Sequence, residues 1–227
     1  MRYLVCIPLL CTALLAQGPV PVYEVKRATS GVQVDGKLDE AAWKSAPPVD
    51  FVFPWESQTG AKQKTQARLT WDDRYLYVAY QCDDSEITTK HTKRDDPTYE
   101  DDAVEVFLNP KPSQNHYLGL EMNARGVLYD YFYVYPEFLL KRFDLSDVRV
   151  AAQPAGKGWT LEVAISWGDF EGLSNGKAPA RGDVWTANLN RWDGSAPNRR
   201  LSQWSNSGLP KPSPHNPQRF GKLVFAD

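Results

Sequence analysis

The chain has 227 residues, with 26 Lys plus Arg against 28 Asp plus Glu and a formal net charge of -2. That near-balance argues against a nucleic-acid binder, which carries a basic excess or stripe; 42% hydrophobic and 24% charged residues exclude wholesale disorder. The length suits one large domain that buries its own core without disulfide staples, and eight Trp, eleven Tyr and seventeen Pro fit a chain of many short strands.

The N-terminus reads MRYLVCIPLLCTALLAQGPVP, the pattern of a signal peptide over residues 1–17. Arg2 supplies the positive end, Leu4 to Leu15 the apolar run, and Ala16 a small residue suited to cleavage. The run is too short to span a bilayer. Cleavage near Ala16 or Gln17 removes Cys6 and Cys11 and leaves Cys82, so no intramolecular disulfide is expected. Cys82 shares a strand face with Val78 and Tyr80 and is expected to be buried and inert. A secreted or periplasmic protein is expected, with no membrane association after cleavage and a single domain over 22–227.

Residues 22 to 60 form a leading segment with scattered Pro and aromatics. Asp35-Gly36 marks a turn, and Asp39 is placed to cap a helical turn through Trp43. From residue 67 the apolar period becomes two. Strands are expected over 67–71, 75–82, 102–108, 116–122, 127–135, 148–153, 159–167, 185–192, 201–204 and 220–225, with a helical turn within 168–175. Ten short strands without a long helix imply an all-β fold, an antiparallel β-sandwich.

The segment Tyr99-Glu100-Asp101-Asp102-Ala103-Val104-Glu105 is the most informative. Alternation puts Glu105 on the face opposite Val104, Val106 and Leu108, and in a sandwich that second face can be wet. Glu121 is expected on an adjacent strand of this platform, and Asn188 and Asn190 share a polar face of theirs. Carboxylates, amides and flanking aromatics suit sugars, whose vicinal hydroxyls match bidentate partners and whose C–H faces pack on Tyr and Trp. The alternative is that Glu105 and Glu121 pair with Arg or Lys on neighbouring strands. Two carboxylates also permit glycoside hydrolysis, which needs a pair about 5–10 Å apart, but nothing in the sequence marks one for a raised pKa. The histidines His91, His116 and His215 lack ligand spacing. The acidic doublets Asp72-Asp73, Asp83-Asp84, Asp95-Asp96 and Asp101-Asp102 sit at turns and strand ends, where carboxylates and carbonyls offer hard oxygens to Ca2+; Asp is also simply a good turn residue. Asp83, Asp84, Asp101 and Asp102 are the candidate ligands.

Six segments taken in order resemble family 9 carbohydrate-binding modules and the related DOMON-like domains. They are VDGKLDEAAW (34–43), WDDRYLYVAY (71–80), YEDDAVEVFL (99–108), GWTLEVAISW (158–167), GDVWTANLNRW (182–192) and RFGKLVF (219–225). The resemblance implies a jelly-roll-type β-sandwich that binds oligo- or polysaccharides, such as the chain ends of xylan or cellulose, without catalysis, and that often carries structural calcium. By position, Tyr99 stands where the family has one clamp aromatic and Glu105 where a carboxylate meets sugar hydroxyls. The second clamp Trp is replaced by Pro214-His215-Asn216-Pro217, which leaves His215, Trp192 or Trp204 as substitutes. An Arg that some members carry at 117–122 is absent, and Arg191 is a candidate replacement. Some DOMON-like domains hold haem through Met and His, so Met122 with His116 or His215 defines an alternative electron-transfer reading. No organic cofactor is otherwise expected.

Overall fold

Thirteen strands form among the residues that the computed structural model describes, which are 18–134, 138–140 (backbone alone) and 143–227. The expected signal segment, with Cys6 and Cys11, lies outside them. The elements in chain order are β1 (Val22–Arg27), α1 (Ala41–Ser45), β2 (Val49–Asp50), β3 (Thr65–Trp71), β4 (Tyr75–Asp83), β5 (Ala103–Asn109), β6 (His116–Asn123), β7 (Leu128–Val134), β8 (Phe138–Leu140), β9 (Val148–Ala155), β10 (Gly158–Ser166), β11 (Val184–Asp193), β12 (Arg200–Gln203) and β13 (Gly221–Phe225). None of the described helices is long and apolar enough to cross a membrane.

One hydrogen-bonded path runs β8-β7-β6-β5-β11-β13-β1-β3-β4-β10-β9, with β12 added to β11 and β2 to β3. Strand β1 is where this path turns from one layer into the other. Val22 to Val25 pair with β13, and Lys26 and Arg27 pair with β3, both in parallel. The expected all-β sandwich is present, and its pairing is antiparallel except at β1, which makes the sheet mixed. The alternation of Val22-Tyr23-Glu24-Val25 buries Tyr23 and Val25, and the Pro residues around it masked a strand.

Period-two alternation builds the core. Val104, Val106 and Leu108 of β5 and Leu118, Leu120 and Met122 of β6 meet Leu76, Val78 and Tyr80 of β4 and Leu161, Val163 and Ile165 of β10, all fully buried. Each such side chain contributes about 1.5–3 kcal/mol on leaving water. Cys82 lies on the same face, and burial pushes its thiol up to about 12.

The 34–43 motif covers the outer face of β4 and β10, packing Val34, Leu38 and Trp43 on Tyr75, Tyr77, Ala79 and Ala164. Its anchor is Glu162, fully buried on β10. The Glu162 carboxylate accepts the backbone N–H of Asp35 (2.9 Å) and Gly36 (2.7 Å) and the Trp43 indole N–H (2.6 Å). Gly36 has φ +85°, and a Cβ there would meet the Gln153 side chain at 2.6 Å. The helix begins one residue later than expected: Glu40 is its N-cap, without a side-chain cap bond.

Candidate functional site

The outer face of β5, β6, β7 and β11 carries the chemistry, because alternation sends the residues between the core positions outward. The register sets Glu105 of β5 directly opposite Glu121 of β6, and Glu121 opposite Tyr129 of β7. On the far side of β5, Asn190 of β11 stands opposite Glu105. Directly opposed side chains have Cβ atoms roughly 4.5–5.5 Å apart, so the two carboxyls are neighbours. The next row sets Phe107 opposite Gly119 and Gly119 opposite Tyr131. A Cβ at Gly119 would lie 2.4 Å from Tyr131 Cζ, so glycine is what allows the Tyr131 ring to lie across β6.

A cavity of about 490 Å³ opens above this floor. Glu105, Glu121 and Tyr131 lie deepest, 1%, 4% and 1% exposed. Tyr99, on the short helical turn Thr98–Glu100, meets Tyr129 edge to face at 5.8 Å and remains 41% exposed at the rim. The opposite end is closed by Pro212, Ser213, Pro214 and His215. The His215 ring stacks on both Phe107 (5.2 Å) and Tyr133 (5.1 Å), and its Nδ1 lies 2.6 Å from the Tyr117 hydroxyl. Burial lowers its pKa to about 4, so His215 is a neutral aromatic wall. Arg199 stacks on Trp192 at 5.0 Å and donates to the carbonyls of Tyr99, Glu100 (2.6 Å) and Asp101 (2.9 Å). It thereby fixes the turn that presents Tyr99.

The carboxyl pair is electrostatically loaded. Burial pushes Glu105 up to about 8, against the pull of the Trp192 side chain, the Arg199 charge and the Asn190 amide. Burial, and then the charge of Glu105, push Glu121 well above its ordinary value. The Oε2 atoms of both have no hydrogen-bond partner among the described residues. The Tyr131 hydroxyl lies close enough to Glu121 to influence its ionisation but is without a bond of normal geometry.

Of the residues singled out in the sequence, Tyr99, Glu105, Glu121, Trp192 and His215 line one cavity. The others lie elsewhere. Asn188 is fully buried beneath the 204–207 segment, donating to the Ser205 carbonyl (3.0 Å) and accepting the Ser205 N–H. Asn190 stands beside Glu105 but is covered, its Oδ1 accepting from Gln203 (3.0 Å). Trp204 packs edge to face on Tyr23 and fills the space a Cβ at Gly221 would need. Arg191 is the clearest displacement: odd positions of β11 point inward, and its guanidinium is spent on Asp84 (3.1 Å), Asp193 (2.5 Å) and the Asp83 carbonyl (2.7 Å). Arg199, Tyr129, Tyr131 and Tyr133 were missed. The Tyr129-Tyr131-Tyr133 alternation on β7 was a readable signal, whereas Arg199 sits in a loop without pattern.

Buried Asp84, Asp102 and Asp193 bring carboxylate oxygens within 4.8 Å of one another at one end of the sandwich interior. Burial, helped by the charges of Asp84 and Asp193, raises Asp102 to about 6. Arg191 offsets one of the three charges, and each carboxylate oxygen accepts a hydrogen bond: Asp102 from the Thr88 and Gly194 N–H groups, Asp84 from Glu86, Trp159 and Arg191, Asp193 from Gln63 and Arg191; the negative charge that remains fits Ca2+ in charge and donor type. Two of the expected ligands do not converge there. Asp83 is exposed and contributes only its carbonyl, to Arg191. Asp101 accepts from Asn123 (2.8 Å), the Lys90 and His91 N–H groups and the His91 ring, tying down the 88–92 loop. Asp193 was missed because it arrives from the far end of β11. The haem alternative loses its ligand pairs: Met122 lies in the inner core with His215 on the outer face of the sheet, and His116 lies six residues away along the same strand, roughly 20 Å from Met122.

A family model described as carbohydrate family 9 binding domain-like matches residues 34–227. The chain belongs to this family. Its modules bind carbohydrate rather than transform it. Endo-1,4-beta-xylanase A of Thermoanaerobacterium saccharolyticum is 31% identical over 134 residues, 59% of this chain and 11% of that enzyme. Endo-1,4-beta-xylanase C of Paenibacillus barcinonensis is 32% identical over 83 residues, 37% of this chain and 7% of that enzyme. The same fold is found in a protein from Bacteroides uniformis ATCC 8492 provisionally described as carbohydrate-binding, at 19% identity, TM-score 0.78 and coverage of 91% of this chain and all of that one. It recurs again in a family 9 module from Caldicellulosiruptor kristjanssonii solved with cellotriose, at 17% identity, TM-score 0.67 and coverage of 90% and 93%.

Proposed function

We propose that this protein is an exported, non-catalytic carbohydrate-binding protein that holds a saccharide over Glu105 and Glu121, serving the breakdown of xylan- or cellulose-like polysaccharides. The observation that carries the reading is the cavity itself, in which buried carboxyl oxygens without partners lie beneath Tyr99, Tyr129 and His215. Aromatic walls take the C–H faces of a pyranose and the carboxyls accept from its hydroxyls. The cellotriose complex of the Caldicellulosiruptor module and the xylanase relatives support the ligand class. His215, neutral and stacked between Phe107 and Tyr133, stands at the wall where the clamp Trp is absent.

The absence of catalysis is argued from position. Glu105 and Glu121 lie side by side on one floor, whereas a glycosidase sets its acid and its second carboxylate on either side of the scissile bond. A structural Ca2+ is assigned by the same proposal to Asp84, Asp102 and Asp193, where it would neutralise the surplus charge and tie β4, β5 and β11 together. The test is co-sedimentation with insoluble xylan and cellulose, with released reducing sugar measured in the same tubes. Retention without release is expected. A folded protein that does not sediment with either polysaccharide contradicts a xylan- or cellulose-like ligand; release of reducing sugar contradicts the non-catalytic role.

A further inference from the structure

The floor of the cavity is over-supplied with acid for a neutral sugar. Glu105 and Glu121 are adjacent and buried. The positive charge at the cavity, Arg199, has its terminal nitrogens engaged by three backbone carbonyls, and at the rim Glu100 is matched by Lys90 at 2.6 Å. His215 adds no charge. Burial holds the pair toward its protonated form; were both floor carboxyls ionised, Arg199 would match one charge and leave the other without a counterpart. Glu105 Oε2 and Glu121 Oε2 lack a hydrogen-bond partner of normal geometry among the described residues, and the Tyr131 hydroxyl lies beside Glu121.

A sugar hydroxyl donates one hydrogen bond and carries no charge, so it leaves the pair either repelling or holding a proton. A protonated amine donates three hydrogen bonds, enough to reach both carboxyl oxygens, and supplies the charge that matches the ionised pair. The rings of Tyr99, Tyr129 and Tyr131, which line the same cavity, add aromatic surroundings that favour a cation. We infer that the ligand is an amino sugar bearing a free ammonium group, seated with that group between Glu105 Oε2 and Glu121 Oε2. This inference rests on the saccharide reading above and narrows it to deacetylated amino-sugar oligomers.

The test is calorimetric titration of the protein with deacetylated chito-oligosaccharides, their N-acetylated forms and cello-oligosaccharides of equal length. Salt is kept at roughly 0.15 M to screen non-specific attraction. The inference expects the free-amine series to bind at least ten times more tightly than the cello series, and N-acetylation to abolish the advantage. Glu121→Gln, checked for folding by thermal unfolding, is expected to bring the amine-to-cello ratio toward one; Glu105→Gln provides a second variant with the same expectation. Cello-oligosaccharides binding as tightly as the free-amine series overturn the inference and leave the saccharide reading standing. An amine preference that survives both variants also overturns it, since the attraction then lies outside this floor. Failure of all three series to bind a folded protein overturns both.

Discussion

Replacing Glu121 by Gln is expected to stabilise the ligand-free protein at neutral pH. In an unfolded chain both floor carboxyls ionise near 4.5, whereas in the fold burial pushes Glu105 up to about 8 and, with the charge of Glu105, raises Glu121 well above its ordinary value. A carboxyl kept protonated at pH 7 against an ordinary value of 4.5 costs about 1.36 kcal/mol per pH unit, at most about 3.4 kcal/mol. Gln keeps the shape and has no ionisation to suppress, so about 1–3 kcal/mol should return after packing adjustments. For a domain of this size that raises Tm by roughly 3–10 °C. The sign with pH follows from raised pKa values. The pair's stabilising contribution is complete below about pH 4.5 and is lost as pH rises through the folded-state values, so the wild type weakens between about pH 4.5 and 8. The variant should weaken less, and the two should converge at the acid end. Urea unfolding at both ends of that window measures the difference. A variant weaker than wild type by the same margin at both pH values refutes the reasoning, because the pair would then carry no suppressed ionisation.

Glu162→Ala removes the acceptor of three buried donors, those of Asp35, Gly36 and Trp43. At about 1–3 kcal/mol for each orphaned group, offset by partial rehydration, urea unfolding should show a loss of about 3–5 kcal/mol, and a loss under about 1 kcal/mol would show that the 34–43 motif is held by apolar packing alone. Millimolar Ca2+ is expected to raise Tm relative to a chelator, by up to about 2.7 kcal/mol of stability at a hundred times Kd. Asp193→Asn should abolish that rise. Identical melting in calcium and chelator contradicts the calcium assignment.

The reach of sequence reasoning followed the range of the interactions. Val104-Val106-Leu108 and Leu76-Val78-Tyr80 announced their strands because period-two burial is local, and the same alternation placed Glu105 outward. β1 escaped because its parallel pairing with β13 and β3 is a long-range property of a short stretch flanked by Pro. The site divided along the same line. Tyr99, Glu105 and Glu121 were legible from the 99–105 segment and β6, whereas Arg199 joins through its stacking on Trp192 and bonds to carbonyls a hundred residues earlier. Arg191 was misplaced by one step of the pleat, enough to turn a side chain from the cavity into the interior. The raised pKa of Glu105 had no sequence signal, since it comes from burial that only the assembled walls produce.

The central claim is that a saccharide sits on this floor against Tyr99. Its most direct test is titration calorimetry of wild type, Tyr99→Ala and Glu105→Ala with the tightest-binding oligosaccharide, each variant checked for an intact fold. Tyr99 lies at the rim, so its loss should leave stability nearly unchanged while weakening binding by roughly 1–3 kcal/mol, about 5- to 150-fold; Glu105→Ala should weaken binding as well. Wild-type affinity in both variants would contradict the account and place the saccharide elsewhere on the protein.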